Sequence, residues 1–351
     1  MLLLTLAVLS ANGAILIVNN NVNNPGNYTN LQDAIDAASP EDTILVSGSE
    51  TYYYNDTPGD YITINKKLTL IGAGYNPYTQ YRLASKLYGV YFTSDVDDPS
   101  QSTIMGFYIN GNISVNGSGI NYIQILRNRI IGSIFFNNGT YENWNHWTIR
   151  NNIIYEIWAQ TTATSLTNSN FENNIITGRL YNLNSASIIF SNNLFKRYSA
   201  SGEYFFSSLT YCQFINNIFL GGILSGVSNA TFTNNIIYGY YGISLDCGVN
   251  DCTGNIVDSD PLFVDGGGIY SYFNYSYDYH LDTGSPGLSA GTDGTDIGIY
   301  GGLYPFPGGE LVPWQTSAMP TLPQIYKMNV LNPTLPINGT LQVKIEATSQ
   351  Q

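Results

Sequence analysis

The chain contains 351 residues, of which only 11% are charged, and its 12 Lys and Arg against 25 Asp and Glu give a net charge of −13. Hydrophobic residues make up 43% of the chain, a content that argues against intrinsic disorder. The acidic balance excludes a typical nucleic-acid-binding surface, and no apolar run is long enough to predict a membrane span.

The N-terminus has the pattern of a secretory signal. Leu2–Leu9 is apolar, and small residues follow at Ala11 and Gly13. This pattern predicts a signal peptide over residues 1–13 and a secreted or cell-surface protein. The alternative is a buried strand that continues into Ile15–Val18.

A short amphipathic helix is predicted next, over Tyr28–Ala38. Thr29 as N-cap with Gln32 three residues later forms a capping box. Asp42–Val46 and Ile62–Ile71 then alternate like wall strands. We expect the helix to cover the N-terminal end of a larger β structure.

The middle of the chain repeats the pattern apolar, any, Asn, Asn, apolar, apolar. Copies begin at Ile149, Phe171, Phe190, Phe214 and Phe232, with weaker copies at Leu126 and Cys252. A drifting period of about twenty residues is typical of a solenoid. Asn, Gly and β-branched residues dominate, and no helical period is present. The sequence therefore predicts an all-β, single-stranded right-handed parallel β-helix over residues 14–302.

The paired asparagines predict two neighbouring columns, because equivalent residues stack on successive coils. One column should point inward and bond along the helix axis, and the other should form the turn. The predicted inner ladder is Asn152, Asn174, Asn193, Asn217, Asn235 and Asn255. The predicted turn column is Asn128, Asn151, Asn173, Asn192, Asn216 and Asn234. The position before each pair should face outward, which would stack Arg127, Arg150 and Glu172.

The later part of the β region is rich in Asp and Gly. The segments "SPEDTILVSGSETY", "KKLTLIGAG" and "DPLFVD…YHLDTGSPGLSAGTDGTDIGIYGG", with the Asn-Asn coils, resemble secreted bacterial proteins of the pectin-lyase-like right-handed β-helix superfamily. The resemblance covers about residues 15–302 and matches no specific enzyme family. It implies that the Asp- and Gly-rich stretch is the last coils and closing loop. His280 would then be structural.

Metal and redox chemistry have few candidate residues. Asp258, Asp260 and Asp265 are interpreted as turn and cap residues, with a Ca²⁺ site as the alternative. No other cofactor is expected. Three cysteines suggest small buried residues, although Cys247 and Cys252 are close enough in sequence to form a disulfide.

The C-terminal region, residues 303–351, is Pro-rich and then contains two strand candidates, Gln324–Leu331 and Thr340–Ala347. A hairpin that covers the last coil and a strand pair that docks on a second molecule are both consistent with this pattern.

Catalytic residues are sparse. Enzymes of the superfamily that the chain resembles cleave acidic polysaccharides. Some use several Asp residues, and others use Ca²⁺ together with an Arg or Lys base. This chain has no Asp from Pro99 to Leu245. A catalytic group of Arg150, Glu156, Glu172 and Arg179 can be drawn, with Lys196 and Arg197 among the other available bases.

Three functions remain at this stage. The favoured one is a non-catalytic extracellular structural protein that associates with copies of itself into a filament, sheath or surface layer. The second is a polysaccharide lyase-like enzyme acting on acidic glycans. The third is a glycan-binding adhesin, suggested by Trp144, Trp147 and Trp158. The expected partners are therefore copies of the chain and polysaccharide, but neither nucleic acid nor a membrane.

Overall fold

A computed structural model describes residues 13–22, 25–75, 83–137, 143–160, 165–185, 187–197, 203–239, 245–269, 271–307, 324–330 and 343–348. The predicted signal peptide at residues 1–13 lies almost entirely outside these ranges, and so does the segment between the two C-terminal strand candidates. Ile15–Val18 forms the first strand, β1. No helix among the described residues is long and apolar enough to cross a membrane.

The chain folds as a right-handed parallel β-helix, as the repeat predicts. Successive coils contribute strands to two long parallel sheets, which we call sheet A and sheet B. Every pairing along these two sheets is parallel, and inward side chains alternate with outward ones. The two sheets therefore enclose one continuous core.

Sheet A has eleven strands in chain order. They are β1 (Ile15–Val18), β2 (Thr43–Val46), β4 (Thr69–Gly72), β7 (Thr103–Met105), β10 (Gln124–Leu126), β13 (Thr148–Arg150), β16 (Ser169–Glu172), β19 (Ile188–Ser191), β23 (Gln213–Ile215), β26 (Thr231–Thr233) and β28 (Asp251–Thr253).

Sheet B has fourteen strands. They are β3 (Ile62–Ile64), β5 (Ser85–Leu87), β6 (Val90–Thr93), β8 (Phe107–Ile109), β9 (Ile113–Asn116), β11 (Arg129–Asn137), β14 (Ile153–Ala159), β17 (Ile175–Ile176), β18 (Leu180–Tyr181), β20 (Leu194–Lys196), β21 (Phe206–Ser207), β24 (Ile218–Leu220), β27 (Ile236–Tyr238) and β29 (Ile256–Val257).

The remaining strands form four separate pairs. Two are parallel: β12 (Asn143–Asn145) with β15 (Ser165–Thr167), and β22 (Leu209–Thr210) with β25 (Val227–Ser228). Two are antiparallel: β30 (Phe263–Asp265) with β31 (Asp278–Leu281), and β32 (Gln324–Val330) with β33 (Val343–Thr348). The last pair corresponds to the two strands expected near the C-terminus.

The N-terminal end is closed by the helix α1 (Leu31–Ala37). Its N-cap is Asn30, whose side chain accepts from the backbone N–H of Gln32 at 2.7 Å, and not Thr29 as the sequence suggested. Gln32 makes no capping box, because its side chain bonds the backbone N–H and carbonyl of Thr63 on the edge strand β3. The helix therefore satisfies an edge that would otherwise be open to pairing.

The inner asparagine column forms a continuous hydrogen-bonded ladder. Each Nδ2 donates to the Oδ1 of the asparagine on the next coil at 2.9–3.2 Å, and that Oδ1 also accepts the preceding asparagine's backbone N–H at 2.8–2.9 Å. Its members are Asn128, Asn152, Asn174, Asn193, Asn217, Asn235 and Asn255. Six of these side chains are fully buried and Asn255 is half-buried, so the bonds satisfy amides that solvent reaches little or not at all.

One register in the sequence interpretation is wrong. Ile125 pairs with Ile149, so Asn128 lies opposite Asn152 in the inner ladder and not in the turn column. Arg127 consequently occupies the turn, with a φ of 55°, and does not stack in front of Arg150. The outward residue that stacks beside Arg150 on the preceding coil is therefore Leu126.

The outer asparagines form the turns and also hold the C-terminal part of the chain. All five have φ between 50° and 56°: Asn151, Asn173, Asn192, Asn216 and Asn234. Their side chains bond residues 290–304, which run back along the outside of the helix and which we call the strap. The contacts are Asn234 with Ala290, Asn216 with Thr292, Asn192 with Asp296 and Gly298, Asn173 with Ile299 and Gly301, and Asn151 with Tyr304.

This path differs from the closing loop that the resemblance implied. The described part of the strap lies beside the coils and not over the last one. Ile297 and Ile299 bury themselves against an outward apolar column of sheet B that includes Ile175, Leu194 and Ile218. Without the strap, this outward row of Ile and Leu would be a large exposed apolar patch. The strap therefore shields it from water.

Candidate binding groove

A groove lies on the outer face of sheet B, where residues 271–276 form one wall and the strands form the floor. It consists of two adjoining cavities of about 470 Å³ and 610 Å³. Arg129, Ile131 and Phe273 line both cavities, so they join into one elongated depression. Tyr155 and Lys196 line the smaller cavity, and Tyr275 lines the larger one.

Arg129, the first residue of β11, lies between the two cavities. Its guanidinium carbon is 5.4 Å from the ring centre of Phe273, and its Nη1 is buried without a hydrogen-bond partner. Burial lowers the pKa of Arg129, and the neighbouring hydroxyls of Tyr275 and Tyr108 oppose that shift. An arginine remains cationic under these conditions, so a positive charge lines the groove.

Lys196 ends β20 and is only 2% exposed. Its Nζ donates to the carbonyl of Gly268 at 2.9 Å, and none of the ion pairs among the described residues includes it. Burial lowers the pKa of Lys196 to about 8. The ammonium is therefore a desolvated charge that a ligand anion would stabilise.

Arg197 directly follows and forms an ion pair with Glu203. Its Nη1 also donates to the carbonyl of Thr177 at 3.4 Å, while its Nε is buried without a partner. Among the residues that the structure describes, three cations and one carboxylate thus line the two cavities. In a chain of net charge −13, this excess of positive charge is unusual.

Glu156 and Arg179 line neither cavity of the groove, but Glu156 lies close enough to Arg197 and Arg179 to be influenced by the charges of both. The hydroxyl of Tyr181 donates to Glu156 Oε1 at 3.4 Å, and the guanidinium of Arg179 lies 5.8 Å from the ring centre of Tyr204. Burial raises the pKa of Glu156, while the positive charges of Arg197 and Arg179 work in the opposite direction. This acid and this arginine therefore partly neutralise each other.

The four catalytic candidates from the sequence fall into two separate places. Arg150 and Glu172 lie on adjacent strands of sheet A, with Arg150 Nε 2.8 Å from Glu172 Oε2. The ring of Tyr304 in the strap covers Arg150, at 3.3 Å from its guanidinium carbon. Glu156 and Arg179 belong to the sheet B side instead. These residues do not make up one site.

The Ca²⁺ candidates serve in turns and a strand pair. Asp258 has a φ of 57°, Asp260 Oδ1 accepts from the backbone N–H of Leu262 at 2.9 Å, and Asp265 lies in β30 opposite Asp278. Across the described ranges, no group of three or more His, Cys, Asp or Glu is arranged to hold a metal ion.

Two of the aromatic residues interpreted as sugar contacts are core residues. Trp144 and Trp147 are fully buried, and their indole N–H groups donate to the carbonyls of Gly117 and Ile120. Trp158 is 40% exposed. His146 stacks on Tyr122 with ring centres 4.6 Å apart, and His280 stacks on Tyr300 at 3.5 Å.

The cysteine interpretation favoured by the sequence is wrong for two of the three residues. Cys247 and Cys252 form a disulfide in the last coil, while Cys212 is a buried free thiol. Their separation of five residues was the signal, and the loop between them brings the sulfurs together.

The groove itself was missed at the sequence level, although its cations carry a signal. Ile154, Ile176 and Phe195 are paired on successive coils. Lys196 is the residue that follows Phe195. Its equivalents in neighbouring coils are Tyr155, Thr177 and Leu220. A lysine in that outward column is exceptional. The wall of the groove could not be predicted from the sequence, because it depends on where residues 271–276 pack against sheet B.

Comparisons with known proteins identify no family. No protein-family model matches the chain, and no curated protein matches it. Among solved structures, the chain is similar to "pectate lyase Pel9A" at 13% identity, over 82% of this chain and 96% of that one, with a TM-score of 0.40. It is also similar to a pectin methylesterase from Aspergillus niger at 12% identity, over 71% and 75%, with a TM-score of 0.18.

Proposed function

We propose that this protein binds an acidic polysaccharide in the groove on sheet B. The observation that carries the proposal is the cluster of Arg129, Lys196 and Arg197 in one depression with a single carboxylate, Glu203. A polymer of negative charge would be repelled by most of a surface of net charge −13. The groove is where such a polymer would be attracted.

The shape and chemistry of the groove suit a saccharide. Its two cavities join into one elongated depression, which suits a linear chain. Tyr155 and Phe273 supply aromatic surface beside the cations. Arginine forks match the planar geometry of a carboxylate, and aromatic surface with a few placed polar groups is typical of ligand sites. A uronate combines both features, because it has a carboxylate on an otherwise partly apolar ring.

An extracellular location is part of the proposal. Disulfides persist in oxidising compartments, and the disulfide between Cys247 and Cys252 is consistent with one. Extracellular acidic polysaccharides would be accessible to the groove in that location.

Calorimetric titration with a polyuronate oligosaccharide tests this function. We expect binding that weakens with added salt, and no binding of the carboxyl-reduced, neutral form of the same oligosaccharide. Equal affinity for both forms, or no binding of either, would overturn the proposal. Absorbance at 235 nm in the same samples reports unsaturated uronates, and its increase would add lyase activity to binding.

Self-association is a second candidate, favoured by the C-terminal end of the β-helix. Strands β28 and β29 end the two sheets, and among the described residues no strand pairs with their outer edges. Val249 and Val257 at this end are 50% and 42% exposed. An open edge of this kind can pair with a second copy of the chain.

Sedimentation and electron microscopy test this candidate. We expect dimers or longer assemblies that dissociate in the variant Thr253→Lys with Val257→Lys, because charges on an edge strand block pairing. Deletion of residues 314–351 separately tests the strand pair β32 and β33. Monomers at every concentration would contradict self-association.

A further inference from the structure

A second cluster of aromatic and polar side chains lies beside the groove, around the corner of the same strands. Its members are Trp158, Tyr181, Glu156 and Arg179. We propose that this cluster is a second saccharide site, which accepts a neutral pyranose unit of the polysaccharide whose acidic unit occupies the groove. The inference rests on the proposed function and adds the composition of the ligand.

The aromatic part of this site is an exposed tryptophan held in place by its neighbours. Trp158 is 40% exposed, whereas Trp144 and Trp147 are fully buried in the core. Its ring centre lies 4.6 Å from that of Phe135 on one side and 6.2 Å from that of Tyr181 on the other. The planes of Trp158 and Tyr181 meet at 57°, so their rings do not cover each other. A rigid, partly open aromatic surface of this kind suits the C–H face of a sugar ring.

Polar groups border this surface on the groove side. The hydroxyl of Tyr181 donates to Glu156 Oε1 at 3.4 Å, a long and therefore weak bond. Arg179 influences the pKa of both residues, which indicates that its charge is close to them. Carboxylate, hydroxyl and guanidinium together can accept from and donate to the hydroxyl groups of a sugar.

The charge balance distinguishes the two sites. Among the described residues, three cations and one carboxylate line the groove. At the second site, the charges of Arg197 and Arg179 both act on Glu156. Arg197 is already paired with Glu203, so the two arginines face two carboxylates. A second uronate at Trp158 would bring its carboxylate next to that of Glu156 without a net positive charge to compensate. The cluster therefore favours a neutral unit.

The two sites are connected by one strand. Tyr155 lines the groove and Trp158 lies three residues later on β14, with Glu156 between them. Both side chains are exposed, although residues three apart in a straight strand point to opposite faces, so β14 bends between them. The two Cα atoms are therefore no more than about 10 Å apart. A linear oligosaccharide of several units that runs along β14 would contact both. The ligand class is thus a polysaccharide that combines acidic and neutral units.

Two oligosaccharides of equal length test the inference. One alternates uronate with a neutral hexose, and the other contains uronate only. We expect Trp158→Ala to weaken binding of the alternating oligosaccharide about tenfold, which corresponds to about 1.4 kcal/mol. The uronate-only oligosaccharide should change less than about twofold, because a contact that it does not make cannot be lost.

Control variants separate a direct contact from a change in folding. Trp158→Phe should keep most of the affinity for the alternating oligosaccharide. Tyr211→Ala removes a half-exposed aromatic side chain elsewhere and should change neither affinity. Thermal unfolding of each variant reports whether the β-helix is intact.

The outcomes distinguish this inference from the groove itself. If Trp158→Ala leaves both affinities unchanged while Arg129→Ala lowers both, the second site is wrong and the groove stands. If Trp158→Ala lowers both affinities equally, or if Trp158→Phe is as weak as Trp158→Ala, the neutral-unit site is also wrong. If the parent protein binds neither oligosaccharide, the proposed function itself fails.

Discussion

Two cationic regions on the outside of the β-helix differ in how their charges are satisfied. Arg150 is bonded to Glu172 at 2.8 Å and covered by the ring of Tyr304. In the groove, Arg129 keeps a buried Nη1 without a hydrogen-bond partner, and Lys196 contacts the Gly268 carbonyl. The cation of the first region is paired with a carboxylate, whereas Arg129 and Lys196 belong to none of the ion pairs among the described residues.

The difference shows why residue type alone does not identify a site. Both regions contain arginine on neighbouring coils, and a sequence pattern favours Arg150 because Glu172 stacks beside it. That same neighbour makes the pair structural. A buried cation without an acidic partner is costly to the fold, so its presence points to function more strongly than an ion pair does.

The largest expected effect is in the groove. We expect Arg129→Ala combined with Lys196→Ala to weaken binding of a uronate oligosaccharide by about 100-fold or more, because each charged hydrogen bond contributes about 1.5–3 kcal/mol. Calorimetric titration measures the change. Lys67→Ala with Lys86→Ala removes two cations outside the groove and should alter affinity far less. If both double variants lost the same affinity, the groove would not be a specific binding site for uronate.

The pH dependence of binding is the next largest effect. Because the pKa of Lys196 is lowered to about 8, its ammonium loses its proton on the alkaline side of neutrality. Uronate affinity should therefore fall about tenfold between about pH 7 and about pH 9.5, the value of one charged hydrogen bond. Lys196→Arg should remove most of this dependence. An unchanged profile in Lys196→Arg would contradict the role of this lysine.

In the protein without ligand, the same lysine should make stability rise with pH, whereas uronate affinity falls. Its folded-state pKa lies below its usual value of 10.5, so the charged form disfavours folding. This penalty is fully present below about pH 8 and disappears as the pH rises toward the usual value. The free energy of unfolding, measured in denaturant, should therefore rise above about pH 8 in the parent protein. In Lys196→Met this rise should be absent.

The groove wall should have a smaller effect. Phe273→Ala removes the ring next to Arg129 and should weaken uronate binding about threefold, the scale of an exposed cation–π contact. Tyr304→Ala is the matched control, since it removes the ring that covers Arg150. An equal loss in both variants would mean that the rings act through general stability.

The smallest effect on binding is expected at the paired arginine. Arg150→Ala should leave uronate affinity unchanged and lower the free energy of unfolding by about 1 kcal/mol, because the pair is partly exposed. Denaturant unfolding and titration of the same sample measure both quantities. A large loss of affinity here would move the binding site to sheet A.

The fold could be predicted from the sequence because one signal repeats on many coils. Each Asn-Asn pair fixes a turn and an inner hydrogen bond, and the flanking Phe and Ile form the core. Phe171, Phe190, Phe214 and Phe232 stack with ring centres 4.5–5.1 Å apart, as the repeat spacing implies. The interpretation failed at Asn128, where a single asparagine leaves the register ambiguous and only the strand pairing decides it.

The site could be predicted only in part, since it depends on a distant segment. Lys196 differs from the other residues of its column, but its burial depends on Gly268 and on residues 271–273, which lie close to it. No local pattern predicts this packing. For the outer asparagines, the sequence likewise predicts only turns. Their hydrogen bonds to the strap join residues 56 to 153 positions apart, which no local pattern predicts.

The most direct test is a crystal structure of the protein in complex with a uronate oligosaccharide. We predict a uronate carboxylate within hydrogen-bond distance of Arg129 or Lys196 in the groove on sheet B. A carboxylate bound at Arg150 beside Tyr304, or an oligosaccharide bound away from the groove, would contradict the account.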